Sequence, residues 1–96
     1  MPAVTFLDGG RTGRVTYVEG RSTITGYVEL GGNDVVAILS MGSAKEWCKH
    51  HGWALERRSM ILRVVADEAI RQRSPGCVAE IDETSGDILL RTVNPR

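Results

Sequence analysis

Much of what a 96-residue chain can be is excluded by what this one lacks. It has two cysteines, Cys48 and Cys77. That is too few for the disulfide framework of a small secreted domain, so free thiols in a reducing cytoplasm are expected. It has no net charge: twelve basic side chains are matched by twelve acidic ones. A nucleic-acid binder working through bulk positive charge is therefore disfavoured. Its most apolar run, Val35-Val36-Ala37-Ile38-Leu39, falls far short of the roughly 20 residues needed to span a bilayer, and Met1-Pro2-Ala3 opens no signal peptide. There is no internal repeat, low-complexity segment or long linker, and at this length one domain over residues 1–96 is expected. No phosphate loop is present either. Gly9-Gly10 and Gly31-Gly32 precede strand-like segments, and no Lys-Ser/Thr pair follows them.

What remains is an ordinary globular composition, with 42% hydrophobic and 25% charged residues, and a clear change of period along the chain. The segment at Val4 and Phe6 ends in Asp8-Gly9-Gly10. Arg14–Glu19 and Ser22–Leu30 then form two β-rich runs around a short Gly20-Arg21 turn. In the longer run Ile24, Gly26, Val28 and Leu30 share one face, and Thr23, Thr25, Tyr27 and Glu29 share the wet one. After a turn at Gly31-Gly32-Asn33, Val35–Leu39 is apolar on both faces, as in a central strand.

Ser43-Ala44-Lys45-Glu46 has the spacing of a capping box and opens a short helix that stops before Gly52. From about Leu55 to Arg73 the period is helical. Ile61, Leu62, Val65, Ala66 and Ala69 form one side; Arg63, Asp67, Glu68 and Arg71 form the other. Pro75-Gly76 ends it. Residues 77–82 and 87–91 then make a hairpin around Glu83-Thr84-Ser85-Gly86. The expected fold is α+β: an antiparallel sheet of about six strands, with a four-strand meander, a short helix, a long amphipathic helix and a C-terminal hairpin. One long helix cannot cover both faces of such a sheet, so one face stays wet or meets a partner.

Chemistry-bearing clusters are few. Cys48-Lys49-His50-His51 brings a thiol and two imidazoles together, but a structural zinc site wants four ligands and the other cysteine is distant in sequence. A cysteine nucleophile with a histidine base lacks a recognisable orienting group. Asp67-Glu68 and Asp82-Glu83 occupy solvated positions. Neither an enzyme nor a cofactor or metal is expected. Residues 41–73 carry seven basic against four acidic side chains, most simply a solvated helix face. Within them Trp47 and Trp53 bracket His50 and His51, next to Arg57 and Arg58. Tryptophan and arginine are enriched at binding hot spots. Trp53, beside Gly52, suits an exposed anchor, whereas Trp47, inside the capped helix, suits the core.

The stretch from Arg14 to Asp82 resembles the immunity protein 74 family of bacterial polymorphic toxin systems. The likeness rests on the strand end Tyr17-Val18-Glu19-Gly20 and the strand Asp34-Val35-Val36-Ala37-Ile38. It continues through the segment Ser43-Ala44-Lys45-Glu46-Trp47, the helix pattern Arg58-x-x-Ile61-Leu62-x-x-Val65, and the strand Val78–Asp82. The resemblance implies a cytoplasmic protein that neutralises a cognate toxin by stoichiometric contact. The expected contact residues are Trp53, His50, His51, Arg57, Arg58 and Trp47. The competing readings are a small nucleic-acid-binding or regulatory domain using Lys45, Lys49, Arg57 and Arg58, and a homodimer or larger homo-oligomer joined through its open sheet face or an edge strand.

Overall fold

A computed structural model describes residues 2–9, 12–32 and 34–93. The tips of the expected turns at Gly10 and Asn33 lie outside the described residues. Six strands form one antiparallel sheet: β1 (Ala3–Gly9), β2 (Thr12–Glu19), β3 (Ser22–Leu30), β4 (Val35–Ser40), β5 (Cys77–Asp82) and β6 (Asp87–Thr92). Two helices, α1 (Ala44–His50) and α2 (Arg58–Arg73), stand between β4 and β5. The fold is α+β, with the four-strand meander and the C-terminal hairpin in place.

Each local element has a local cause. Glu19 pairs with Ser22, which leaves Gly20-Arg21 as a two-residue turn, and Gly20 takes the positive φ of 62° that such a turn needs. At the start of α1 the Ser43 hydroxyl accepts the Glu46 N–H at 3.2 Å, while Glu46 Oε1 accepts the Ser43 N–H at 2.9 Å. This reciprocal cap satisfies two otherwise orphaned donors. Ser43→Ala is expected to lower stability by about 1 kcal/mol in urea denaturation.

The order of strands is β1-β2-β3-β4-β6-β5. The last strand inserts beside β4, and β5 becomes an edge, because the β5–β6 hairpin docks with its second strand inward. Between the helices, residues Gly52–Arg57 form a 3₁₀ helix, so the α-helix starts at Arg58 rather than Leu55. The arginine side chain at that start turns inward and is 7% exposed.

The helix row Ile61, Leu62, Val65, Ala66 and Ala69 is fully buried against Val15, Tyr17, Ile24, Leu39, Ile88 and Leu90 of the sheet. By length α2 spans about 24 Å, close to the width of six strands. It crosses the sheet diagonally. Near its first turn Ser59 donates to Glu83 in the β5–β6 turn, and in its last turn the Gln72 amide donates to the Val4 carbonyl of β1 at 3.0 Å. The opposite sheet face carries no helix there. It presents the cross-strand row Thr5, Thr16 and Thr25, the wet parity read from the sequence.

The diagonal leaves one corner of the core face uncovered. Leu30 shares its face with Ile24 and Val28 by parity, yet it is 63% exposed. Parity sets which face a side chain takes, but not whether a helix reaches far enough to cover it.

Candidate partner-binding surface

The basic segment from α1 to the start of α2 buries Trp47 and leaves Trp53 exposed, as the sequence suggests, and it turns Arg58 inward, which the sequence does not show. Trp47 is fully buried. Its indole N–H donates to the Met41 carbonyl at 2.8 Å, the Arg58 guanidinium lies over its ring at 5.6 Å, and His51 meets it edge-on at 5.7 Å. Arg58 in turn donates to the Gly42 carbonyl at 2.9 Å. Both residues are inward structural groups, so Trp47 and Arg58 leave the set of six contact residues expected from the sequence.

Trp53 stays outside, 44% exposed, but in a 3₁₀ helix rather than a loop. Arg57 lies over its ring at 5.7 Å. The same guanidinium holds both oxygens of Glu19, at 2.9 and 3.0 Å, and the Tyr17 hydroxyl donates to Glu19 at 2.7 Å. A chain of contacts thus runs from the buried phenol of β2 to the exposed indole. Both bonds to Glu19 come from Arg57 Nη1, which fixes the guanidinium beside the Trp53 ring while the side chain stays partly exposed.

The electrostatics follow. Burial and the hydrogen bond to Glu19 push the Tyr17 phenol up to about 12. The Tyr17 hydroxyl and then Arg57 hold the Glu19 carboxyl below its usual value of 4.5. A depressed folded-state pKa means that the contribution of this contact is present above the ordinary carboxylate value and is lost as pH falls through the folded one. Trp53 is therefore expected to change environment on acidification only below about pH 4.5. Following its indole resonance by NMR tests this, and Glu19→Gln should abolish the acid transition.

His50 is exposed, and His51 is half-buried. Burial, followed by the neighbouring His50 charge, lowers the His51 pKa. Both imidazoles border a cleft of about 250 Å³ whose other wall is Thr25, Tyr27 and Ser40. Tyr27 is 65% exposed and was not among the expected contact residues. Its signal in the sequence was an aromatic on the wet parity of a strand. Glu19 was missed as well, since its partner lies 38 positions away.

Cys48 is exposed, Cys77 is half-buried and both are free thiols. Among the described residues no three His, Cys, Asp or Glu side chains gather as metal ligands, and no helix is long and apolar enough to cross a membrane. No family model, no curated protein and no solved structure matches this chain.

Proposed function

We propose that this chain is an immunity-type binding protein, which neutralises a cognate toxin domain by stoichiometric contact and performs no chemistry of its own. The observation that carries this reading is Trp53, held at the surface by an arginine that is itself tied to Glu19. A large aromatic biased toward one orientation before contact loses less side-chain entropy on binding, which suits an interface anchor. His50 and Tyr27 flank the neighbouring cleft and offer amphipathic contact area of the same kind. The competing nucleic-acid reading loses two of its four cations, because Arg57 is paired with Glu19 and Arg58 is buried.

The test starts from the neighbouring reading frame, where this reading expects a toxin-like domain, and pairs that domain with this chain. Co-expression should restore growth, and the purified pair should form a 1:1 complex. Trp53→Ala is expected to weaken that complex by about 2 kcal/mol, roughly thirtyfold, with little change in melting temperature. Glu19→Gln should weaken it less, since it removes only the support of the anchor. Failure of the wild-type chain both to bind and to protect would overturn the reading. Binding that falls steeply with salt to DNA or RNA instead would favour the nucleic-acid alternative.

A further inference from the structure

We propose that the open face of the sheet is a self-complementary interface, through which two copies of this chain pair about a two-fold axis. The strand register builds one continuous row across that face. Leu7 of β1 pairs with Arg14 of β2, Arg14 with Tyr27 of β3, and Tyr27 with Ser40 of β4. Ser40 pairs with Asp87 of β6, and Asp87 with Asp82 of β5. These positions alternate with core residues such as Val15, Leu39 and Ile88, so parity turns them away from α2. Leu7, Tyr27 and, on the same face, Val78 are exposed apolar side chains.

The charges in this row select a second copy as the occupant. Among the described residues neither Arg14 nor Asp87 forms an ion pair. Asp87 stands directly opposite Asp82, and like charges so placed repel. Asp82 accepts the N–H groups of Thr84 and Ser85, but no side-chain cation among the described residues reaches either carboxylate. Within one chain Arg14 lies three strands from Asp87, about 14 Å away. A second copy related by an axis that runs along the strands between β3 and β4 places its Ser40 over Tyr27. The same rotation brings its Asp87, beside its Asp82, over Arg14. Sheets stacked face to face lie about 10 Å apart, a gap that an arginine reaching toward an aspartate spans. Each unpaired charge is then answered, and the contact occurs twice. Such reciprocity is the mark of an isologous interface, because the row is its own complement.

The face is also large enough. Strands about 4.8 Å apart and about six residues long give six strands a face of roughly 29 by 20 Å. Two such faces bury on the order of 1,100 Å², above the roughly 1,000 Å² that a specific interface needs. The anchor of the proposed toxin contact stays outside. Trp53 leans on Arg57, whose partner Glu19 shares the core parity of Val15 and Tyr17, on the other side of the sheet. Tyr27 rims both surfaces, so the dimer covers one wall of the cleft and leaves Trp53 and His50 uncovered.

The test is a charge swap on the full chain, read by sedimentation equilibrium. The wild type should form dimers as concentration rises. Arg14→Glu sets carboxylates against each other, and Asp87→Arg does the same with guanidinium groups. Each variant alone should therefore associate about a hundredfold more weakly. Mixed in equal amounts, the two should form a heterodimer about as tight as the wild-type pair, because every contact then joins opposite charges. That recovery also shows that both variants are folded. Trp53→Ala should leave association unchanged. Isotope-filtered NMR of the wild type should show contacts between Tyr27 of one copy and Ser40 of the other, a measurement that needs no variant. Three results would overturn the proposal. They are a wild-type chain that stays monomeric at millimolar concentration, association that both reversals leave intact, as pairing through an edge strand would, and mixed variants that stay apart although circular dichroism shows both folded.

Discussion

Trp47→Ala is expected to destabilise the protein by about 3–5 kcal/mol, a large part of the total for a domain of this size. Three losses add up. The buried indole leaves a cavity, the Met41 carbonyl loses its donor, and the Arg58 guanidinium loses the ring it lies over. The first is the largest, and the last adds to it, because Arg58 is buried and would keep its bond to Gly42 without the ring. A buried charge without its packing partner is costly. Urea denaturation should show a lower midpoint. Trp53→Ala, measured beside it, should move the midpoint little. If the two variants were equally unstable, Trp53 would be a core residue and the surface assignment would fail.

The second large effect is expected at a residue with no side chain. Gly86 closes the β5–β6 turn with φ 83°, and a Cβ placed there would lie 2.0 Å from the Gly42 carbonyl oxygen. The Met41 N–H also donates to the Gly86 carbonyl at 3.0 Å, so the two backbones are docked against each other. Gly86→Ala therefore combines a left-handed strain of about 1–2 kcal/mol with a backbone collision that no rotamer can relieve. A loss of about 3 kcal/mol or more is expected in denaturant titrations. Gly20→Ala, which has open space around its Cβ, should show only the conformational part. The contrast separates strain from collision. Gly42 is also the carbonyl that Arg58 grips, so a shifted Gly42 should loosen Trp47 as well. The two predictions therefore concern one junction, where the β4–α1 connection, the β5–β6 turn and the start of α2 meet, and their effects should not be additive.

The mobility of the candidate anchor bears on function in the same way. An exposed cation–ring contact is worth about 0.5–1 kcal/mol, so Arg57 biases the Trp53 indole without freezing it. Its hold on Glu19 supplies the rest of the ordering. On the proposed function, the Trp53 ring has little freedom left to lose on contact, and the expected gain lies in slower dissociation.

Whatever depends on neighbours in sequence was legible before the structure. Strand parity placed Ile24 and Gly26 inside and Thr25 outside; the helical period named the buried row from Ile61 to Ala69. The capping box at Ser43 and the turn at Gly20 needed only spacing, because their hydrogen bonds close over two to four residues. Tryptophan was sorted by the same logic: one inside a capped amphipathic element, the other beside a glycine. The arrangements that only the tertiary structure decided all join distant segments. The insertion of β6 beside β4, the inward turn of Arg58 onto Gly42 and the capture of Arg57 by Glu19 have no local signature. The same is true of Leu30, whose parity says core while the diagonal of α2 leaves it exposed. Periodicity reports the face a side chain takes; coverage depends on the length and angle of another element, and pairing of charges depends on which loops the packing brings together.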